Sequence, residues 1–527
     1  MHLAERIGLE QIINRGSRPP RPRIPPIRKR LRRHQLPSLI RTHIASALPR
    51  MRREPKQFLH ILRGHRIALT YAEHTPLILA STLPKEPALT PIRTRLELYF
   101  GFASHATNWR TEILAGLTTF ITMAYIIFVN PAILSETGMP LAAVTAATCL
   151  CAAFGSILMG ALANYPLALA PGMGLNAYFT YTVVEGMHVP WQTALGAVFL
   201  SGVIFLGLTY SGIRQRLLAA IPYQLHAAVG GGIGLFIAFI GFRNAGVIVP
   251  SPATTVALGN LHAPSTILAI IGLLLIAILQ VLRVRAAMLI GVLTTTLLGI
   301  VCRQVHWQPA PYNLSAIGAT AFHLDIPAAV GRGALEIIFV FLFVDLFDNI
   351  GTLVAVTERA GLIAPDHTIP RLNRIFFADA SSTILGSLAG TSTVTSYIES
   401  SAGVAAGGRT GVTAIVTGIL FFLSLFIAPL VGAIPSFATA PALILVGALM
   451  LTGLGTIEWN DPQIGIPAFL IVSTIPLTWS IADGLSFGLT SYAFIQLLTG
   501  RARLRRDWML YLLATLFLLR FIYIVRT

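Results

Sequence analysis

The sequence predicts an all-α polytopic membrane protein of fourteen spans, arranged in two halves of opposite membrane orientation. Three observations carry that class. Hydrophobic residues make up 54% of the chain and charged residues 11%, with a mean hydropathy of +0.72, whereas soluble domains carry about 25% charged residues. Apolar segments follow one another almost without a break from residue 111 to residue 500. Two of those segments, seven places apart in the order, are interrupted, the third by Gly and Pro and the tenth by Gly and a Ser/Thr run.

The first 100 residues stand apart. They hold 20 Lys and Arg against 6 Asp and Glu, which is +14 of the formal charge of +17. They contain no sustained apolar run, and the Arg/Pro tract between Arg15 and Arg33 (RPPRPRIPP at 18–26) resists a long helix. Three readings stand for this extension: a disordered basic tail near anionic head groups, an Arg-rich transit peptide, or upstream sequence translated from too early a start codon. The last is favoured. No nucleic-acid-binding motif accompanies the arginines, so no nucleic-acid partner is expected.

A span needs about 20 apolar residues. Segments that meet this lie at 113–134, 141–162, 166–184, 191–211, 217–242, 263–282, 286–302, 334–356, 374–389, 391–407, 410–431, 437–456, 462–480 and 482–500. The membrane domain is thus 101–500, with one repeat over 111–303 and the other over 332–500. With the N-terminus cytoplasmic, thirteen arginines fall at inner ends, from Arg110, Arg214 and Arg216 to Arg503, Arg505 and Arg506. Three fall outside, Arg243, Arg303 and Arg332. That segregation obeys the positive-inside rule. The segment 508–525 is apolar but carries Arg520, so 501–527 is expected to be a cytoplasmic interfacial helix.

The third and tenth segments break the helical pattern. One reads APGMGLNAY at 170–178, the other GTSTVTSYIES at 390–400. Paired interruptions in corresponding halves point to a transporter site, because non-helical backbone at that depth is tolerated only where it lines a cavity. An offset of seven is odd, so the two halves are inverted.

Acids at bilayer depth cost roughly 2.5–3.5 kcal/mol on insertion scales and therefore face a partner, a cavity or a substrate. Asp345 and Asp348 lie three apart in the eighth segment, on one helix face. Glu399 lies in the broken tenth segment beside the Ser/Thr run 391–396, and Thr395 and Ser396 are expected to line the site with it. Asn176 in the third segment offers both donor and acceptor groups. Asp348 is read either as proton-coupling or as structural. Asp379 is expected to pair with Arg374 in helix packing. Glu112, Glu185 and Glu336 sit near span ends and read as interfacial. Carboxylates facing an amide suit a flat heterocycle with N–H donors and ring acceptors, not an anion, since no deep Lys or clearly buried Arg is evident. Gly230 to Gly234 reads as close helix packing, and Asn130–Pro131 as a kink or cap. Cys149, Cys151 and Cys302 imply neither a disulfide framework nor a metal site. No cofactor is expected.

These residues also carry a resemblance. NWRTEILAGLTTFITMAY at 108–125 with VNP at 129–131, APGMGLNAY at 170–178, VDLFD at 344–348, and the run at 390–400 followed by GVAAGGRTG at 403–411 resemble the AzgA-like purine permeases. These are a branch of the nucleobase–cation symporters in the xanthine/uracil permease superfamily. The resemblance spans about 97–525. It implies a core domain of spans 1–4 and 8–11 moving against a gate domain of spans 5–7 and 12–14, with short strands in spans 3 and 10. It implies uptake of guanine and hypoxanthine, or of adenine, with protons across the plasma membrane. It implies that Asp345, Glu399 and Asn176 contact the base. A homodimer in the lipid bilayer is left open, and both termini are expected in the cytoplasm. Rival readings are a uracil or xanthine carrier and an intramembrane enzyme using Asp345 and Asp348, which fits poorly with two acids on one helix.

Deleting residues 1–90 is expected to leave membrane abundance and purine uptake unchanged, because Arg110 and the later arginine clusters still set orientation. Loss of uptake at normal abundance would instead make the extension a functional element.

Overall fold

Without water at bilayer depth a backbone must bond to itself, so each apolar stretch closes as a helix unless its carbonyls and amides find partners elsewhere. The computed structural model describes residues 91–211, 221–305, 314–331, 334–363, 369–501 and 507–523. Residues 1–90, and Arg214, Arg216, Arg332, Arg503, Arg505 and Arg506, lie outside the described residues.

Helix α1 (Pro91–Phe100) precedes the first span, which is α2 (Trp109–Met123) and α3 (Ile126–Leu134). The second is α4 (Leu141–Leu158). The third is β1 (Leu169–Pro171) leading into α5 (Met173–Ala177), which continues in wider turns to Gly186. Then come α6 (Trp191–Ser211) and α7 (Tyr223–Asn244), an exposed hairpin of β2 (Ile248–Ser251) and β3 (Thr255–Leu258), α8 (Pro264–Val281) and α9 (Ala287–Val301). The second half runs α10 (Ala334–Ala360), α11 (Leu372–Ala389), β4 (Val394–Ser396) with α12 (Ser400–Ala405), α13 (Gly411–Leu423), α14 (Ser436–Met450), α15 (Pro462–Thr478) and α16 (Ile481–Leu498). Helix α17 (Trp508–Tyr523) ends the described chain.

These elements fall on the fourteen expected segments. Among the described residues, eight of the segments are long and apolar enough to cross a bilayer. The others are shorter, carry Arg374 and Asp379, or are interrupted by a strand. Side chains place the helix starts: Asn108 accepts from the Thr111 amide, Thr410 from Val412, Asp461 from Gln463 and Ser480 from Asp483. The first span breaks at Ala124 and Tyr125, and Pro131 sits within α3.

Helices pack in two groups. Spans 1, 2, 4, 8, 9, 10 and 11 pack on one another, with span 3 joined to span 10 through its strand. Spans 5, 6, 7, 12, 13 and 14 form the other group. This is the core and gate division. In the gate, α7 and α14 are the fifth span of each half, and they cross at Gly234 and Gly447. A Cβ on Gly447 would lie 2.3 Å from the Gly234 carbonyl oxygen. Gly231 and Gly232 face Leu454 and Ile475 just as closely, so this glycine run serves helix packing.

Two acids near helix ends, and the last helix, are placed deeper in the protein than expected. Glu112 lies in the first turn of its span but faces the protein: it is fully buried and accepts from Thr107 Oγ1 (2.8 Å), the Arg409 amide (3.0 Å), the Thr410 amide (3.3 Å) and Thr413 Oγ1 (2.6 Å). It thereby anchors the start of α13 to α2. Glu336 is also buried, ion-paired to Arg520. Helix α17 does not lie apart from the bundle: it packs along α16, and Phe517 sits against Phe339 and Phe343 of α10. Glu185 is exposed.

Gly447→Val should overpack the α7–α14 crossing and cost about 1–3 kcal/mol, read as a lower melting temperature of the detergent-solubilised protein. Gly230→Ala, with open space around it, should leave that temperature unchanged. Equal behaviour of the two variants would contradict this packing.

Candidate substrate site

The broken segments meet in the core. Pro171 has no amide to donate and weakens helical bonding at its position, and the chain runs there as strand. Gly390, at φ +94°, ends α11 and turns the chain into the tenth segment. Strands β1 and β4 pair antiparallel, with Leu169 opposite Ser396, Ala170 opposite Thr395 and Pro171 opposite Val394. Flanking bonds extend the pairing. The Tyr397 amide donates to the Ala168 carbonyl (3.0 Å), the Gly172 amide to the Thr393 carbonyl (2.9 Å), and the Ala168 amide to Ser400 Oγ (3.0 Å). The Tyr397 hydroxyl donates to the Pro171 carbonyl. A Cβ on Gly172 would come 2.7 Å from Thr395 Cγ2, so a side chain there would have to push Thr395 aside.

Acids gather round this crossing. The Asp348 carboxylate faces Gly172, its Oδ2 3.8 Å from that would-be Cβ, and lies within electrostatic reach of Asp379 and Glu399. Asp345 is buried one turn earlier on α10. Glu399 immediately precedes α12. Its Oε1 accepts from the Tyr125 hydroxyl at 2.6 Å, while its Oε2 has no hydrogen-bond partner among the described residues. The same holds for Thr393 Oγ1, Thr395 Oγ1, Ser396 Oγ and the Asn349 amide, all buried. Buried polar groups are rarely left so, and each such group costs about 1–3 kcal/mol. Most of them lie in the tenth segment, between Thr393 and Glu399.

Asn176 is placed differently from the simplest expectation. Its amide nitrogen donates to Asn130 Oδ1 at 2.5 Å, and its oxygen accepts from Ser392. Asn130 in turn donates to Thr148 Oγ1 (2.7 Å) and Thr391 Oγ1 (3.1 Å). Asn130, Thr148, Asn176, Thr391 and Ser392 are fully buried. Asn130 is thus a hub joining spans 1, 2, 3 and 10, beyond any local role beside Pro131. Tyr125 and Asn130 are the residues that sequence reasoning missed; their long-range partners lie up to 274 residues away, and only the break in the first span hints at them.

The expected Asp379–Arg374 pair is not formed. Five residues on one helix are about 140° apart, so Asp379 turns into the core while Arg374 is exposed, its Nη1 3.5 Å from the Leu162 carbonyl. Asp345 and Asp348 share one helix. Among the described residues no group of three His, Cys, Asp and Glu side chains is placed to hold a metal ion.

A membrane-embedded carrier core, with two broken spans meeting at polar groups, is what fold and site define. The chain belongs to the xanthine/uracil permease family: the profile of that family, described as "Permease family", matches residues 110–486. It is 44% identical over 429 residues to the adenine permease AdeP of Escherichia coli, covering 81% of this chain and 96% of that one. It is 45% identical over 446 residues to the guanine/hypoxanthine permease PbuG of Bacillus subtilis, covering 81% of this chain and all of that one. The fold is shared with the transmembrane domain of the cyanobacterial bicarbonate transporter BicA (TM-score 0.53, 15% identity, 72% of this chain and 97% of that one). It is shared also with the murine anion transporter Slc26a9 (TM-score 0.55, 12% identity, 80% of this chain and 75% of that one). These have the seven-plus-seven inverted repeat, and the chain is a transporter of that architecture.

Asn130→Ala strips partners from Asn176, Thr148 and Thr391 at once. It should destabilise the core by about 1–3 kcal/mol for each buried group left unpaired, read as a lower melting temperature. Unchanged stability would contradict the hub.

Proposed function

We propose that this permease takes up purine nucleobases across the plasma membrane in symport with protons, and that the base binds against the β1–β4 crossing. The observation that supports the reading most is Glu399: Tyr125 holds one oxygen and leaves the other free to accept from a substrate N–H. Asp345 supplies a second carboxylate, Thr395 and Ser396 supply hydroxyls for ring nitrogens, and Asn176 supports the wall from behind. Asp348 and Asp379, beside them, carry the coupled proton or shape its site. The substrates for which AdeP and PbuG are named favour a purine and leave adenine and guanine/hypoxanthine as alternatives. The core then moves against the gate, with the N-terminus in the cytoplasm. The bilayer and a second copy of the chain complete the proposed partners.

Uptake of labelled adenine, guanine and hypoxanthine into cells lacking their own purine carriers tests the reading. One or more should be taken up, competed by purines and not by uracil; competition by uracil or xanthine alone would favour the pyrimidine/xanthine reading. Glu399→Gln and Asp345→Asn should abolish uptake at normal membrane abundance, and wild-type kinetics in both would refute the site. Tyr125→Phe removes one charge-assisted hydrogen bond, worth about 1.5–3 kcal/mol. It should raise KM roughly 10- to 100-fold if Glu399 contacts the base, and leave KM unchanged if it does not. An uncoupler should stop accumulation, and removing sodium should not.

A further inference from the structure

Helix α17 runs antiparallel to α16. Arg520 Nη1 lies 2.6 Å from Asp483 Oδ1 and 3.2 Å from Ser486 Oγ, in the first two turns of α16, and its Nε donates to Glu336 in the first turn of α10. The start of α17, at Trp508, follows Leu498, the other end of α16, by ten residues. From Trp508 to Arg520 a helix rises about 18 Å. A helix lying in the interface keeps both ends at one depth; this one has its ends at opposite ends of α16.

Its faces agree. Leu510, Leu513, Ala514 and Phe517 are buried against the bundle, while Leu512, Leu516, Leu518 and Leu519 are exposed. An interfacial helix carries a charged face on one side and apolar residues on the other. A helix apolar on both faces is buried on one side and lipid-facing on the other. Its one charge, Arg520, points inward onto two carboxylates, which is how an intramembrane arginine is tolerated.

The cluster also joins parts that belong to different groups. Glu336 is on α10 of the core, and Asp483 and Ser486 are on α16 of the gate. At this end of the bundle the two groups also meet at Trp479. The Thr182 hydroxyl donates to its carbonyl, Tyr181 packs edge-on to its ring at 5.8 Å, and Arg243 sits over both rings.

We propose that α17 is a fifteenth membrane-crossing helix, and that Arg520 on it is a latch holding the core, through Glu336, to the gate, through Asp483, at the end opposite Arg501. Release of this latch opens the seam between Thr182 and Trp479. The latch rests on the carrier reading; the crossing does not.

The crossing is tested with Cys302→Ser, which removes the exposed native cysteine, and a cysteine appended after Thr527. An impermeant maleimide applied to intact cells and to inverted vesicles should label the appended cysteine from one side and Arg501→Cys from the other. Labelling of both from the same side would overturn the crossing.

The latch is tested by labelling Thr182→Cys, with no substrate present, so that failure of the purine reading leaves the readout intact. Replacing the cluster by Arg520→Gln, Glu336→Gln and Asp483→Asn together should speed labelling about tenfold, within the range usual for coupling between two states. Arg520→Lys should keep it slow. Unchanged labelling in the triple variant would overturn the latch. If the triple variant fails to accumulate, Phe339→Cys with Phe517→Cys, at rings 5.0 Å apart, provides the second measurement. A short thiol cross-linker joining them should abolish the slow labelling of Thr182→Cys that remains without substrate, and persistence of that labelling after complete cross-linking would overturn the latch.

Discussion

Polar backbone at bilayer depth has to be satisfied inside the protein, and here two interrupted spans satisfy each other. Pro171 and Gly172 open one helix, and the run 391–396 follows the left-handed turn at Gly390 in the other. Neither segment can complete a ladder alone, so β1 and β4 pair across the two halves of the chain. That pairing fixes where the third and tenth spans meet. It leaves hydroxyl and carboxylate oxygens of Thr395, Ser396 and Glu399 without a hydrogen-bond partner among the described residues, and it explains why polar groups can concentrate in the middle of an apolar bundle.

The rest of the core is arranged around holding this crossing. Asn130 and Asn176 tie spans 1, 2, 3 and 10 into one hydrogen-bonded block, and Glu112 fastens the start of the eleventh span to the first. Tyr125 lies at the break of the first span and reaches Glu399. The gate needs no such chemistry. Its helices approach through glycines, with Gly234 and Gly447 letting two backbones cross where side chains would clash. A stiff polar block beside a smooth small-residue bundle is a division suited to motion of one against the other.

Much of this was legible in the sequence. Hydropathy located all fourteen segments, because each must bury its own backbone, and the Gly/Pro interruptions located the two broken ones. Glu399 and the α10 acids stood out because carboxylates are costly at that depth. What escaped were pairings between residues far apart in the chain. Asn130 read as a kink beside Pro131, although its oxygen and amide each find partners in other spans. Glu112 read as interfacial since no local residue reveals the donors that arrive from Arg409, Thr410 and Thr413. Arg520 made α17 look too polar for the bundle, because its partners Glu336 and Asp483 lie 184 and 37 residues away.

The central claim is that the nucleobase rests on the β1–β4 crossing. Protection of Ser396→Cys from a small permeant alkylating reagent, in a Cys302→Ser background, reads that contact directly. Adenine, guanine or hypoxanthine should slow modification at concentrations that saturate uptake, and uracil should not. Modification at an unchanged rate under saturating purine, in a variant that still transports it, would place the substrate elsewhere.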